Sequence, residues 1–363
     1  MTYTIRNACR HCSLLLLFML FFHACDAQYD FSKVDIWLKD NITGLGGRAV
    51  LMIFKDGKIA YNKSENDLNS KQKSAGKIIA KRAGKDTDEA LLDYDENTKI
   101  NIASCSKWLS AALVMTFVEE GRLHLEDSVG KYLPIMAEHS KGNITIADCL
   151  SHMTGIKSEQ GKENRLITGA GNMDEAINMI ANLPMESTHG TSFHYSSIGL
   201  QIAAAILEKI SDEKFEQLFI ERIAKPCDMT HTDFNRKKVP LAAGGAMSTA
   251  NDYLNFLKMI LAKGNYNGKQ VLGEHTIELM EQNYTYNKKI IYSPVEAGNW
   301  GYGFGGWIMA SQAVTSPGLF GSFPWIDNKN KYAAVLFVTN IKNKGRHEKY
   351  LNLKQLIDAA LQK

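Results

Sequence analysis

Ser104 and Lys107, in the run Ser104-Cys105-Ser106-Lys107, set a hydroxyl and an amine three residues apart at the head of the apolar segment NIASCSKWLSAALVMTFVEEG. On a helix, residues at that spacing lie side by side on one face. A serine hydroxyl is a weak nucleophile until a base takes its proton, and a lysine amine one turn away could be that base. The N-terminus of the same helix adds partial positive charge where an oxyanion would form. The spacing alone is a weak signal, because both residue types are common, so the rest of the chain has to decide.

Two further clusters could complete such a site. In HGTSFHYSSIGLQIAAAI, Tyr195-Ser196-Ser197 stands just before a helical pattern in a loop of small polar residues. A phenol there can carry protons if cations depress its pKa; a packed surface tyrosine is the plainer reading. Ser316-Pro317-Gly318-Leu319-Phe320-Gly321 precedes an apolar strand. Its glycines allow close approach of a ligand to the backbone, and an edge N–H can donate to an oxyanion; a simple turn is the alternative. Histidines add little. His152, His189 and His194 lack the companions of a zinc site, and Cys227 with His231 is a lone pair, so no metal or other cofactor is expected. No glycine-rich phosphate loop or dinucleotide fingerprint occurs, and the missing G-x-S-x-G elbow argues against an α/β-hydrolase.

The elements that must position these residues can be read from periodicity. VDIWLKDNI spaces its apolar residues as a short amphipathic helix, and GRAVLMIFKDGKIAYNKS is a hairpin turning at Asp56-Gly57. The lysine-rich stretch between Ser64 and Lys99 has little apolar periodicity and reads as an exposed excursion. Ser106 to Glu120 forms a buried helix stopped by Gly121. Another helix starts at Thr145, where Thr145 and Asp148 approximate a capping box, and ends at Gly155. GLQIAAAILEKISDEKFEQLFIERIAKP supplies two helices, and STANDYLNFLKMILAKG and GEHTIELMEQN one each. GYGFGGWIMA, SFPWIDN and KYAAVLFVTN are strand-like, and LNLKQLIDAALQK closes the chain as a helix. Strands at both ends predict an α/β (α+β) fold, with a sheet from about residues 28–103 and 270–363 and a helical lobe over about 104–269.

At 363 residues, 45% hydrophobic and 22% charged, the composition is that of an ordinary globular chain. Its N-terminus differs. Arg6 and Arg10 precede the apolar run Leu14 to Phe22, followed by small residues in ACDAQ. This reads as a signal peptide over residues 1–27, too short to be a convincing membrane span, with cleavage after Ala27 and export to the periplasm or the medium. The alternative is a lipid anchor at Cys25. Cleavage removes two Arg and one Asp and takes the formal charge from +3 to +2, which implies neither a nucleic acid nor an acidic partner. It also removes Cys9, Cys12 and Cys25. The remaining Cys105, Cys149 and Cys227 are no disulfide framework, and one pair or three buried thiols both stay open.

With these residues in view, the chain resembles the serine β-lactamase and penicillin-binding protein superfamily, in the class C-like branch that includes esterases and D-amino-acid peptidases. The likeness runs from about Asp30 to the C-terminus. It is strongest in IASCSKWLSAALVMTFVEEGRLHLEDSVGKYLP and continues in order through ITIADCLSHMTGI, FHYSSIGLQIAAAILEKISD, AKPCDMTHTDF and GGAMSTANDYLNF. The resemblance implies a mainly antiparallel sheet flanked by helices with an inserted helical lobe. It makes Ser104 the acylated nucleophile, Lys107 its base and Tyr195 the residue that shares the proton transfers. It makes Ser197 a polar contact to Lys107 and substrate, and the N–H groups of Ser104 and Leu319 the oxyanion hole.

The third motif departs from the family. Ser316-Pro317-Gly318 stands where Lys-Thr-Gly or His-x-Gly is usual, so no cation is in place to hold a substrate carboxylate or depress the Tyr195 pKa. The expectation is therefore an exported serine hydrolase of small-molecule esters, with amides as a further substrate. A β-lactamase or D-Ala-D-Ala-type peptidase is one alternative, and a non-catalytic binding or regulatory protein that keeps the fold is the other. Cys105 is expected to pack in the core rather than to act as a nucleophile.

Overall fold

The computed structural model describes residues 29–362 except 83, 85, 160, 235–237 and 341–344. The expected leader, the cleavage site after Ala27 and the Cys25 anchor lie outside the described residues.

Helix α1 (Ser32–Asn41) precedes the hairpin of β1 (Arg48–Lys55) and β2 (Lys58–Asn66). The hairpin turns at Asp56 and Gly57, with φ of 50° and 78°, the backbone that an Asp-Gly turn supplies. Helix α2 (Ser70–Arg82) and strand β3 (Ile100–Asn101) lead to α3 (Ser106–Glu119). Then come α4 (Pro134–Glu138), α5 (Ile146–Leu150), α6 (Lys162–Gly169), α7 (Met173–Ala181), β4 (Ser192–His194), α8 (Ile198–Ser211), α9 (Phe215–Phe219), β5 (Met247–Ser248) and α10 (Ala250–Leu261). Strands β6 (Asn265–Tyr266) and β7 (Lys269–Gln270), helix α11 (Glu274–Met280) and strand β8 (Lys289–Tyr292) return the chain to the sheet. The sheet is completed by β9 (Gly301–Tyr302), β10 (Trp307–Ile308), β11 (Val314–Thr315), β12 (Phe323–Asp327) and β13 (Tyr332–Val338), before α12 (Arg346–Leu361).

The main sheet runs β2-β1-β13-β12-β11-β10-β9 and is antiparallel throughout, so the N-terminal hairpin joins the C-terminal strands through β1 and β13, with Leu51 opposite Leu336. Side chains alternate between its two faces. Val50, Met52, Val335 and Phe337 enter the core shared with the helical lobe, while Leu51, Ile53, Leu336 and Val338 pack with Leu38 of α1 and Leu353 of α12. Both faces are covered, which is why β13 is buried along its whole length and reads as a continuous apolar run. Helix α3 is buried on all sides from Ser106 to Phe117, the position of a helix that is apolar all round. It stops at Gly121 (φ 68°), with the N–H of Gly121 on the Val118 carbonyl and that of Arg122 on the Phe117 carbonyl.

Three local expectations differ from the structure. The lysine-rich excursion is exposed but contains α2, which buries only Ala80 and leaves Ile78 and Ile79 in solvent, so it shows no apolar stripe. The capping box of Thr145 and Asp148 forms, yet α5 ends at Leu150 because the chain turns at His152 (φ 60°) before reaching Gly155. Helices α6 and α7 were not expected. Among the described residues no helix is long and apolar enough to cross a membrane.

Candidate active site

Ser104 lies in the 3-10 turn Ala103–Cys105 that leads into α3, and it is partly exposed. The turn is held from several sides. Ala103 adopts a left-handed backbone (φ 47°), and its N–H donates to Asn101 Oδ1 at 2.8 Å. Ser106 Oγ donates to the Ala103 carbonyl at 2.6 Å and accepts the Ala246 N–H at 3.0 Å. The Tyr253 hydroxyl donates to the Cys105 carbonyl at 2.8 Å. A non-glycine residue in that backbone region persists only where its surroundings over-determine it, and such strain gathers at functional sites.

Lys107, in the first turn of α3, is 3% exposed. Its Nζ lies 3.2 Å from Ser104 Oγ and donates to the Ala243 carbonyl at 2.7 Å. Burial pulls its pKa down to about 7, against the opposing pull of Glu163 and Cys105. A neutral amine can keep a proton on Ala243 and turn its lone pair to the serine hydroxyl.

Tyr195 is brought in by β4, which pairs in parallel with β8, and its N–H donates to the Tyr292 carbonyl at 3.1 Å. Its ring packs against His152 (4.7 Å between centroids) and Trp307 (5.2 Å), with Lys107 Nζ 4.7 Å from the ring centroid. Burial pushes the phenol above its ordinary range, and a hydrogen bond with Ser104 opposes that rise. His152 is buried, hydrogen-bonded to the Tyr302 hydroxyl at 3.0 Å, and held neutral by burial and by Lys107. Ser197 is buried at the head of α8, but no hydrogen bond joins it to Lys107, whose partners are Ser104 and Ala243.

The third side is the edge after β11. Ser316 is 2% exposed, and its hydroxyl faces the Ser104 and Gly305 carbonyls, each at 3.1 Å, so it fastens the strand to the turn of Ser104 instead of facing the cleft. A Cβ on Gly318 would stand 2.5 Å from the Ile102 carbonyl oxygen and 3.2 Å from Cys105 Sγ, so only glycine permits this approach. Gly305 meets the other end of the same contact, where a Cβ would stand 2.6 Å from the Lys107 carbonyl oxygen. The N–H groups of Ser104 and Leu319 donate to no acceptor among the described residues, while Gly318 N–H is used by Ser322. N–H groups without an acceptor are what an oxyanion hole requires.

Ser104, Lys107, Tyr195 and Ser316 thus come together. Cys105 is buried with its thiol pushed up by burial, and Cys149 and Cys227 are also buried and free. Among the described residues no three His, Cys, Asp or Glu side chains group to hold a metal ion. Sequence reading missed Ala243 as the acceptor for Lys107, the contact of Gly305 with α3, and the packing of His152 and Trp307 on Tyr195. None of these carries a local signal, because each partner is remote in the chain.

The family model described as Beta-lactamase matches residues 39–357. A "Putative D-alanyl-D-alanine carboxypeptidase" of Escherichia coli (strain K12) is 25% identical over 213 residues, 56% of this chain and 47% of that protein; the chain thus matches about half the length of this relative. In fold, a "putative beta-lactamase" from Bacteroides dorei DSM 17855 superposes with a TM-score of 0.76, 24% identity, and coverage of 92% of this chain and 100% of that one. EstCE1, "a hydrolase with promiscuous acyltransferase activity", superposes with a TM-score of 0.68 at 17% identity over 90% of this chain and 100% of that one.

Proposed function

The chain belongs to the Beta-lactamase family of serine hydrolases, and from that premise we propose that it is an exported enzyme that cleaves esters, and amides more slowly, through an acyl group on Ser104. The observation that carries this reading is the buried Lys107 amine, 3.2 Å from Ser104 Oγ and with a pKa of about 7. Neutral Lys107 takes the serine proton as Oγ bonds to the substrate carbonyl carbon. The resulting oxyanion is met by the N–H groups of Ser104 and Leu319. As the bond to the leaving group breaks, Tyr195 gives the departing oxygen its proton and is reprotonated from Lys107. Water then repeats the sequence on the acyl-enzyme and frees Ser104.

A second reading, D-Ala-D-Ala peptidase or β-lactamase, is favoured by the name of the Escherichia coli relative. Ser316 opposes it, because its hydroxyl is spent on two backbone carbonyls and supplies no positive charge for a substrate carboxylate. Steady-state assays separate the two. Turnover of short-chain 4-nitrophenyl esters should exceed that of nitrocefin and vanish in Ser104→Ala. Ester turnover that survives Ser104→Ala would refute the acyl-serine scheme, and nitrocefin turnover equal to ester turnover would restore the second reading.

A further inference from the structure

Arg346 opens α12 and is 3% exposed. Nothing in the hydrolytic scheme uses it, and two costs attend its place. A buried guanidinium needs partners for its hydrogens, and the first turn of a helix disfavours a cation. Its partners are therefore informative. Nη1 carries two hydrogens, and two acceptors lie in reach, the Leu319 carbonyl at 2.7 Å and Glu296 Oε1 at 3.2 Å. Nη2 donates to the Asn340 carbonyl. One planar group thus ties together the edge after β11, the turn Val295–Ala297 and the chain that follows β13.

Leu319 is the residue whose N–H completes the proposed oxyanion hole, and little else fixes it. Its side chain is 51% exposed, and its N–H donates to no acceptor among the described residues. The carbonyl is left as its hydrogen-bonding anchor, and Arg346 takes it. Upstream, Gly318 is pinned by its close approach to Ile102 and by its N–H on the Ser322 carbonyl at 2.8 Å. Downstream, the Asn340 N–H donates to the Phe320 carbonyl at 2.7 Å. The hydroxyl of Tyr350, one turn along α12 from Arg346, donates to the Gly321 carbonyl at 3.0 Å. Three successive carbonyls of this edge are therefore held, and that of Leu319 is held by a charged donor. Such hydrogen bonds are shorter and stronger than neutral ones.

We propose that Arg346 is a positioning residue of the oxyanion hole: its guanidinium, aimed by Glu296, clamps the Leu319 carbonyl and so holds the Leu319 N–H where the oxyanion forms. This rests on the reading of Ser104 as the nucleophile and of Leu319 N–H as an oxyanion donor. A donor helps the reaction only if it is already aimed when charge develops, and clamping one end of a residue restricts the swing of the other. Being buried, the guanidinium is out of reach of a substrate carboxylate. Its effect falls on the transition state, not on the binding of substrate.

The test uses a trifluoromethyl ketone labelled with carbon-13 at its carbonyl. Ser104 Oγ adds to that carbon, the carbonyl π pair becomes the oxyanion, and the serine proton passes to Lys107. The chemical shift of the carbon, followed against pH, gives the pKa of the hemiketal oxyanion. Arg346→Met should raise that pKa by about one to three pH units and lower kcat for 4-nitrophenyl esters by about ten- to a thousandfold, at most the cost of one lost oxyanion donor. KM should stay within about twofold, because the interaction is made in the transition state. Arg346→Lys, which keeps a charged donor, should recover part of both losses. An Arg346 that only braced the fold would leave the oxyanion pKa unmoved in folded Arg346→Met protein, and that result overturns the proposal. If Arg346→Met does not fold, Glu296→Ala decides, because it removes the acceptor that aims Nη1; there too a raised oxyanion pKa supports the proposal and an unchanged one overturns it. A folded wild-type protein that forms no hemiketal on Ser104 would instead overturn the acyl-serine reading, and with it the task given to Arg346.

Discussion

Two ionisable side chains lie against Ser104, Lys107 and Tyr195, and burial moves their pKa values in opposite senses. It disfavours the charged form of each, so the amine falls to about 7 while the phenol rises. In the proposed scheme the lysine is therefore the base near neutral pH, and the tyrosine keeps its proton for the leaving group. Protonated Lys107 cannot accept, so kcat/KM for a neutral ester should fall about tenfold per pH unit below roughly pH 7 and level off above it. Lys107→Met should lose a factor of about a hundred to ten thousand and erase that limb; a limb near pH 4 to 5 would assign the base to a carboxylate instead. The Ser-x-x-Lys spacing made both residues legible, since one helical turn fixes their contact. The acceptor that steers Lys107 was not, because Ala243 lies 136 residues away. Ser316 was visible as a missing cation, but which way its hydroxyl faces depends on the Ser104 and Gly305 carbonyls that tertiary packing puts beside it.

At the scale of elements, the site depends on how closely the edge after β11 can lie against the turn before α3. Gly318 sets that distance, and Leu319 N–H follows it. Gly318→Ala forces a Cβ to within 2.5 Å of the Ile102 carbonyl oxygen, so the edge must retreat. We expect a folded protein destabilised by about 1–3 kcal/mol, the usual cost of overpacking. Its kcat should fall by about a hundred- to a thousandfold, the cost of one lost oxyanion donor. Full kcat in a folded Gly318→Ala protein would show that Leu319 N–H is not used. Long apolar elements such as α3 and β13 were legible because burial on all sides leaves an unbroken apolar run. Helix α7 has its signals too, an Asn172 cap and an apolar face of Met173, Ala176, Ile177 and Ile180, but at nine residues it is short and flanked by loop-forming Gly and Asn. The end of α5 was misplaced because Gly155 offers a stop signal that His152 pre-empts.

In the molecule as a whole, the chain order of strands, helices and strands was enough to foresee a sheet built from both ends around a helical lobe. Which strands become neighbours was not, because the pairing of β1 with β13 joins residues such as Leu51 and Leu336 through packing on both faces of the sheet. The site is closed elsewhere, where the Ser316 hydroxyl meets the Ser104 carbonyl: Ser104, Lys107 and Tyr195 come with the lobe, and Ser316 with the sheet edge. A reactive Ser104 therefore reports on all three scales at once, and the most direct measurement is the intact mass of the protein after exposure to a fluorophosphonate, with Ser104→Ala beside it. One phosphonyl adduct per wild-type chain is expected, formed faster above pH 7 than below it, and none on the variant. An unlabelled wild-type protein shown to be folded, or equal labelling of Ser104→Ala, would contradict it.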